Sequence, residues 1–170
     1  MPEFWDIYDK DRNKTGRLAQ RGVDELKEGE YHIVVTAVIL NSKNEILITQ
    51  RAPFKTFPLM WECNGGSILA GETSIQGILR EIKEEVGIEF KEYDAVFLKT
   101  VSRNCVPPDF KDMWLFRKDA KDEEITLPDG EAIDFKWVTI DVFEEMFNAD
   151  QIVPSVDFDR NDWEKAINLI

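Results

Sequence analysis

Only two cysteines, Cys63 and Cys105, and one histidine, His32, occur in 170 residues. Two thiols without CxxC spacing exclude a disulfide framework. Cations are also scarce, 21 Lys and Arg against 34 Asp and Glu, giving a net charge of −13 and a pI near 4.5. Such a surface repels nucleic-acid backbones and anionic membranes, so neither is expected as a partner. It repels phosphorylated small molecules too, and a phosphate-handling site here would need metal ions to bridge the two anions. No apolar run approaches the ~18 residues that span a bilayer. The opening MPEFWDIYDKD is acidic and mixed, unlike a secretory leader, and the expected location is cytoplasmic. Repeats, low-complexity tracts and linkers are missing as well.

What is present is enough apolar residue, 43% against 32% charged, to build a packed core, and the length fits one domain. Residues 1–30 read as a hairpin around the turn-forming DRNKTG. Asp9, Asp11 and Asn13 alternate like the start of a calcium loop, but the glycine and closing glutamate of that loop are missing, which leaves a solvated turn. HIVVTAVIL (32–40) is β-branched and apolar throughout, as a strand buried on both faces must be. EILITQR (45–51) returns as a second strand. Residues 51–60 form a loop, and WECNGGSI (61–68) gives short extended pieces broken by a glycine pair. Strands follow over 95–103, 112–118 and 132–138, with loops at 104–111 and 118–131, the second polar, acidic and mobile. Asp141 with Glu144 reads as a capping box for a helix ending near Asn148. A last helix falls within 158–170. Strands interleaved with helices predict an α/β fold, a mixed sheet with helices on its faces and an N-terminal β-hairpin extension.

The helix after the glycine pair carries the chemistry. Thr73 with Gln76 forms a capping box at its start, and Gly87 ends it. Ile75, Ile78, Leu79, Ile82 and Val86 define its buried stripe. Glu81, Glu84 and Glu85 project from one arc beside that stripe, where the helix meets its neighbours, while Arg80 and Lys83 point elsewhere on the wheel. Like charges three and four residues apart on a helix repel. Bound divalent cations would offset that repulsion, and carboxylates with a backbone carbonyl make a hard oxygen site suited to Mg²⁺ or Mn²⁺.

The segment resembles the signature of Nudix hydrolases, G-x5-E-x7-R-E-U-x-E-E-x-G-U, where U is a bulky aliphatic. Gly66, Glu72, Arg80, Glu81, Ile82, Glu84, Glu85, Gly87 and Ile88 fill every defined position over 23 residues without insertion or deletion. The resemblance covers roughly residues 30–150 and implies the Nudix α/β/α sandwich, with residues 1–30 similar to the extension of the branch related to isopentenyl-diphosphate isomerase. It implies hydrolysis of a nucleoside diphosphate-linked or related pyrophosphate by metal-activated water. Glu81, Glu84, Glu85 and the Gly65 carbonyl would hold Mg²⁺ or Mn²⁺. Arg80 would hold Glu81 in place, with Glu72 and Gly66 supporting those ligands from behind. Many members of the family are homodimers, though no motif here marks an interface.

Other candidates stand outside the signature. Arg51 and Lys55 are placed to meet substrate phosphates. Phe54, Phe57, Trp61 and Trp114 offer rings for stacking, Trp61 first among them for its place beside the double glycine. Glu131, with Glu123 and Glu124 behind it, is the candidate for a base from a later loop, against Glu81 or Glu85. An isomerase-like enzyme would need a nucleophilic cysteine followed by a second histidine before the helix. Cys63 stands too early and the second histidine is missing, so His32 reads as a satisfied structural residue and both cysteines as small buried thiols. A non-catalytic Nudix binding module would be expected to have a decayed signature. An acidic structural protein would show no effect of divalent ions on stability. The substrate itself lies in loops that sequence does not decode.

Overall fold

His32 to Leu40 form β3, the central strand of a seven-stranded mixed sheet. The computed structural model describes residues 2–128 and 130–169, so Met1, Asp129 and Ile170 of the spans predicted above lie outside it. Before β3 come β1 (Phe4–Tyr8) and β2 (Lys14–Gln20), an antiparallel hairpin as predicted. After it come β4 (Ile46–Arg51), β5 (Trp61–Glu62), β6 (Gly65–Ser67) and helix α1 (Ser74–Val86). The chain continues through β7 (Val96–Arg103), β8 (Asp109–Arg117) and β9 (Ala132–Val138) to α2 (Ile140–Asn148) and α3 (Arg160–Asn168). The main path of the sheet runs β5-β4-β3-β8-β7, with β6 paired to β3 and β9 to β4. Among the strands described, β3 and β8 pair parallel and the other pairs are antiparallel.

Alternation along β3 explains its two apolar faces. Ile33, Val35, Ala37 and Ile39 pack with Ile78, Ile82 and Val86 of α1. Val38 and Leu40 face the other way, against Phe143 and Met146 of α2 and Ala166 of α3. Burying each large side chain of this kind contributes about 1.5–3 kcal/mol. The result is helix, sheet, helix, the expected α/β/α layering. Helix α1 keeps its predicted ends: Thr73 and Gln76 form the capping box, and Gly87 caps the C-terminus at φ +71°.

Several boundaries differ from the sequence reading. Strand β8 begins at Asp109, inside the predicted 104–111 loop, because it pairs in register with β3 from His32↔Asp109 onward. Helix α2 is capped by Thr139, whose hydroxyl accepts from Val142 N, and not by an Asp141–Glu144 box. Those two carboxylates instead accept from Arg160 of α3. The predicted polar 118–131 loop has two anchored points among its described residues: Ala120 and Ile125 are buried, and Thr126 N donates to Val86 O. Cys63 is buried but Cys105 is exposed, so only one thiol is a core residue.

Candidate active site

Glycine lets the carboxylate helix approach the sheet. Strand β6 lies on β3 with Val35 opposite Gly66 and Thr36 opposite Gly65. A Cβ on Gly66 would sit 2.5 Å from Glu81 Oε1, and one on Gly65, at φ +153°, would sit 2.1 Å from Val35 O. The Glu81 carboxylate therefore occupies the space that a side chain at 66 would fill. Beside it Glu85 is enclosed and accepts from Gly65 N at 2.9 Å and Asn64 Nδ2 at 3.1 Å. Burial, with the neighbouring charges of Glu81 and Glu62, pushes the Glu85 carboxyl up to about 8. Burial also raises Glu81, against the pull of Arg80.

Arg80 does not point away from the acidic arc as the helical wheel suggested. Its guanidinium grips Glu72 with two hydrogen bonds, 2.8 Å from Nε and 3.0 Å from Nη2, and donates from Nη1 to Glu81 and Glu84 at 2.9 Å each. Nη2 also reaches Ser67 O, 3.1 Å away. Burial opposes the Arg80 charge, but the surrounding carboxylates outweigh it and hold its pKa above the ordinary value. A bidentate Arg–carboxylate pair of this kind fixes geometry as well as charge. Glu72 thus orients Arg80, and Arg80 orients Glu81.

These groups open onto a cleft of about 670 Å³ whose walls include Gly65, Gly66, Glu81, Glu84 and Glu85. Four other predicted residues reach it. Arg51 Nη1 lies 2.7 Å from both oxygens of Glu62, and Lys55 pairs with Glu131. Phe54 lines it as well, with its ring largely exposed. Phe57, about half exposed, does not line it, and two further aromatics do not arrive there. Trp61 packs against the core on the α2 side, with Lys136 Nζ 4.1 Å above its ring. Trp114 donates from Nε1 to Ser74 Oγ at 3.0 Å and meets Phe97 edge-on. Alternation in β5 explains the first: if Glu62 faces the cleft, its neighbour Trp61 faces away. Glu123 and Glu124 sit on an exposed single turn outside the cleft.

Sequence reasoning missed Glu62, Glu3 and Arg21, all cleft residues. The strand alternation that removes Trp61 was the available signal for Glu62. For Glu3 and Arg21 none existed, because the fold of the hairpin brings them there. His32 is buried and stacks on Trp5 at 4.1 Å, but its Nδ1 finds no partner, so it is not the satisfied histidine expected. Burial lowers its pKa to about 4, leaving a neutral ring.

Among the described residues no three acidic, histidine or cysteine side chains converge as they stand to hold a metal ion. The physical cause is Arg80, which lies between Glu81 and Glu84, together with the turn of Glu85 toward Gly65 N. The donor set still fits a hard divalent cation: two enclosed carboxylates beside an exposed third, a glycine cradle, and a buried Asn64 Oδ1 without a partner.

A model of the NUDIX domain matches residues 30–156. The chain belongs to the Nudix family. A Nudix hydrolase of Listeria monocytogenes, itself described as uncharacterized, is 32% identical over 154 residues and covers 89% of both chains. The solved structure of DR0079 from Deinococcus radiodurans superposes with a TM-score of 0.74 at 22% identity, covering 88% of this chain and 91% of that one. That second likeness concerns the fold. An isopentenyl-diphosphate Delta-isomerase of Corynebacterium diphtheriae is 35% identical over 81 residues, 46% of this chain and 40% of the isomerase. Likeness to the isomerase branch is thus partial, whereas Nudix membership spans the sheet, α1 and α2.

Proposed function

We propose that this Nudix protein hydrolyses a pyrophosphate linkage in a nucleotide-like small molecule, with Mg²⁺ or Mn²⁺ held by Glu81, Glu84, Glu85 and the Gly65 carbonyl. The observation that carries the reading is the pair of enclosed glutamates, Glu81 and Glu85, set against the Gly65-Gly66 backbone at the floor of a polar cleft. Crowding part-buried acids together costs stability unless a cation joins them. A bound divalent ion supplies positive charge to substrate oxygens and activates water.

The chain's own groups do the rest. Glu72 locks Arg80, and Arg80 holds the Glu81 carboxylate in its place beside Gly66. Glu84, the most exposed of the three, has room to turn from Arg80 toward a ligand. Arg51 and Lys55 bring positive charge to the opposite wall, and each is held by a carboxylate, Glu62 or Glu131, that an incoming polyanion would displace. Glu131 reaches the same space and is available to take a proton there once Lys55 turns to substrate. The isomerase reading lacks its nucleophile: burial pushes the Cys63 thiol up to about 12.

Chromatographic detection of the phosphomonoester and pyrophosphate products from nucleoside triphosphates, nucleotide sugars, ADP-ribose and dinucleoside polyphosphates, each with Mg²⁺ or Mn²⁺, tests the proposal. One class should turn over, and Glu85→Gln should reduce its kcat by about 10²-fold or more. Turnover unaffected by Glu85→Gln would move the chemistry away from this helix. No turnover, with isopentenyl diphosphate isomerised instead, would favour the rival.

A further inference from the structure

The family match starts at residue 30, yet the hairpin before it is clamped to the sheet and to the loop that leads into α1. Tyr8 and Tyr31 exchange backbone hydrogen bonds at 2.8 and 2.9 Å. Ala70 N donates to Phe4 O at 2.7 Å, and Gly71 N to Asp6 Oδ2 at 2.8 Å. Trp5 stacks on His32, and Arg12 binds the buried Asp112. With these contacts the hairpin is a fixed wall. At the end of that wall Glu3 and Arg21 line the same cleft as Gly65, Gly66, Glu81 and Glu84.

Four cations border this cleft, and they differ in how free they are. Arg80 is committed to Glu72, Glu81 and Glu84. Arg51 is mostly covered and bound to both oxygens of Glu62. Lys55 is tied to Glu131. Among the described residues Arg21 has one ion-pair partner, Glu3, at 2.7 Å, and both side chains are about half exposed, 57% and 47%. An exposed pair of this kind contributes little to stability and opens at little cost. A planar guanidinium also matches phosphoryl oxygens in pairs. We propose that Arg21, carried by the N-terminal hairpin, binds phosphoryl oxygens of the substrate, so that the hairpin is one wall of the active site. This rests on the pyrophosphate reading of the cleft. In the free protein Glu3 holds Arg21 at the rim, and substrate takes the place of Glu3.

The test uses the full chain with excess Mg²⁺ and methylenediphosphonate, a pyrophosphate mimic that is not hydrolysed, in titration calorimetry. Arg21→Gln should weaken Kd by about tenfold, the loss of a hydrogen bond to a charged group. Arg21→Lys should fall between the two, and Glu3→Gln, which frees Arg21, should bind more tightly than wild type. Lys10→Gln removes one exposed charge from the same hairpin outside the cleft and should leave Kd unchanged. For whichever substrate turns over, Arg21→Gln should raise KM by a similar factor with kcat within about twofold. Equal Kd and KM for wild type and Arg21→Gln would overturn the proposal. So would an equal loss in Lys10→Gln, which would reduce the effect to net charge, or failure of wild type to bind the diphosphonate. Arg21-dependent binding without hydrolysis of any panel member would leave the proposal standing and remove the hydrolase reading instead.

Discussion

Glu85 is part-buried at the floor of the cleft, and burial lifts its carboxyl from the ordinary 4.5 to about 8. Between those values the folded chain keeps a proton that the unfolded chain has released. Folding is then linked to proton uptake, so the contribution is fully present below about 4.5 and is lost as pH rises through about 8. His32 works in the opposite sense. Burial lowers its pKa from 6.5 to about 4, so below 6.5 the unfolded chain takes up the extra proton and stability falls with falling pH. The two slopes offset each other up to about pH 6.5 and leave Glu85 dominant from there to about 8. In that window, and without divalent ions, the protein should lose up to about 1.4 kcal/mol of stability per pH unit. Urea unfolding at a series of pH values in the presence of a chelator measures this directly. Glu85→Gln should reduce the slope, because an amide keeps the neutral form at every pH. A wild-type slope no steeper than that of Glu85→Gln would mean that the carboxylate is already ionised at neutrality.

At the scale of elements, one of the hairpin's anchors is a buried carboxylate. Arg12 grips both oxygens of Asp112 on β8 and also donates to Thr100 Oγ1 on β7 at 2.9 Å. Arg12→Ala leaves the enclosed Asp112 with Thr100 as its side-chain partner and should cost about 2–4 kcal/mol, toward the lower end because Arg12 is partly exposed. Adding Asp112→Asn should recover part of that loss, a coupling that a double-mutant cycle of unfolding free energies reports. Purely additive losses would show that Arg12 acts through packing on Phe110 and not through its charge. The same strand shows where sequence stops being legible. Helix α1 announced itself because its apolar period, its capping box and its terminal glycine agree. Strand β3 did so because an unbroken β-branched run has few other uses. Strand β8 was cut short because Asp109 and Lys111 look like loop residues until their partners are known: Arg103 and Ser155 O. Ser155 is 44 residues from Lys111, and Arg21 and Glu3 are likewise remote in sequence from the glutamates they face. The signature residues of the site were readable because their spacing is local to one helix, whereas the walls of the cleft are products of the tertiary fold.

For the molecule as a whole, a net charge of −13 means that any salt relieves self-repulsion to some degree. A divalent effect on stability is informative only beyond that background. If Glu81, Glu84 and Glu85 bind Mg²⁺ in the folded state alone, saturation to about 100 times Kd stabilises the protein by about 2.7 kcal/mol. For a chain of this length, that corresponds to a rise in Tm of roughly 5–11 °C. Thermal melts in MgCl₂ should therefore exceed melts in NaCl of equal ionic strength by about that amount. Glu123→Gln, on an exposed turn outside the cleft, should keep the whole difference, since it alters net charge by the same single unit. Glu81→Gln should abolish most of it, because the acid beside Gly66 is lost while Arg80 keeps Glu72 and Glu84 as partners. Equal loss in both variants would assign the divalent effect to the acidic surface at large and leave the three glutamates without their cation.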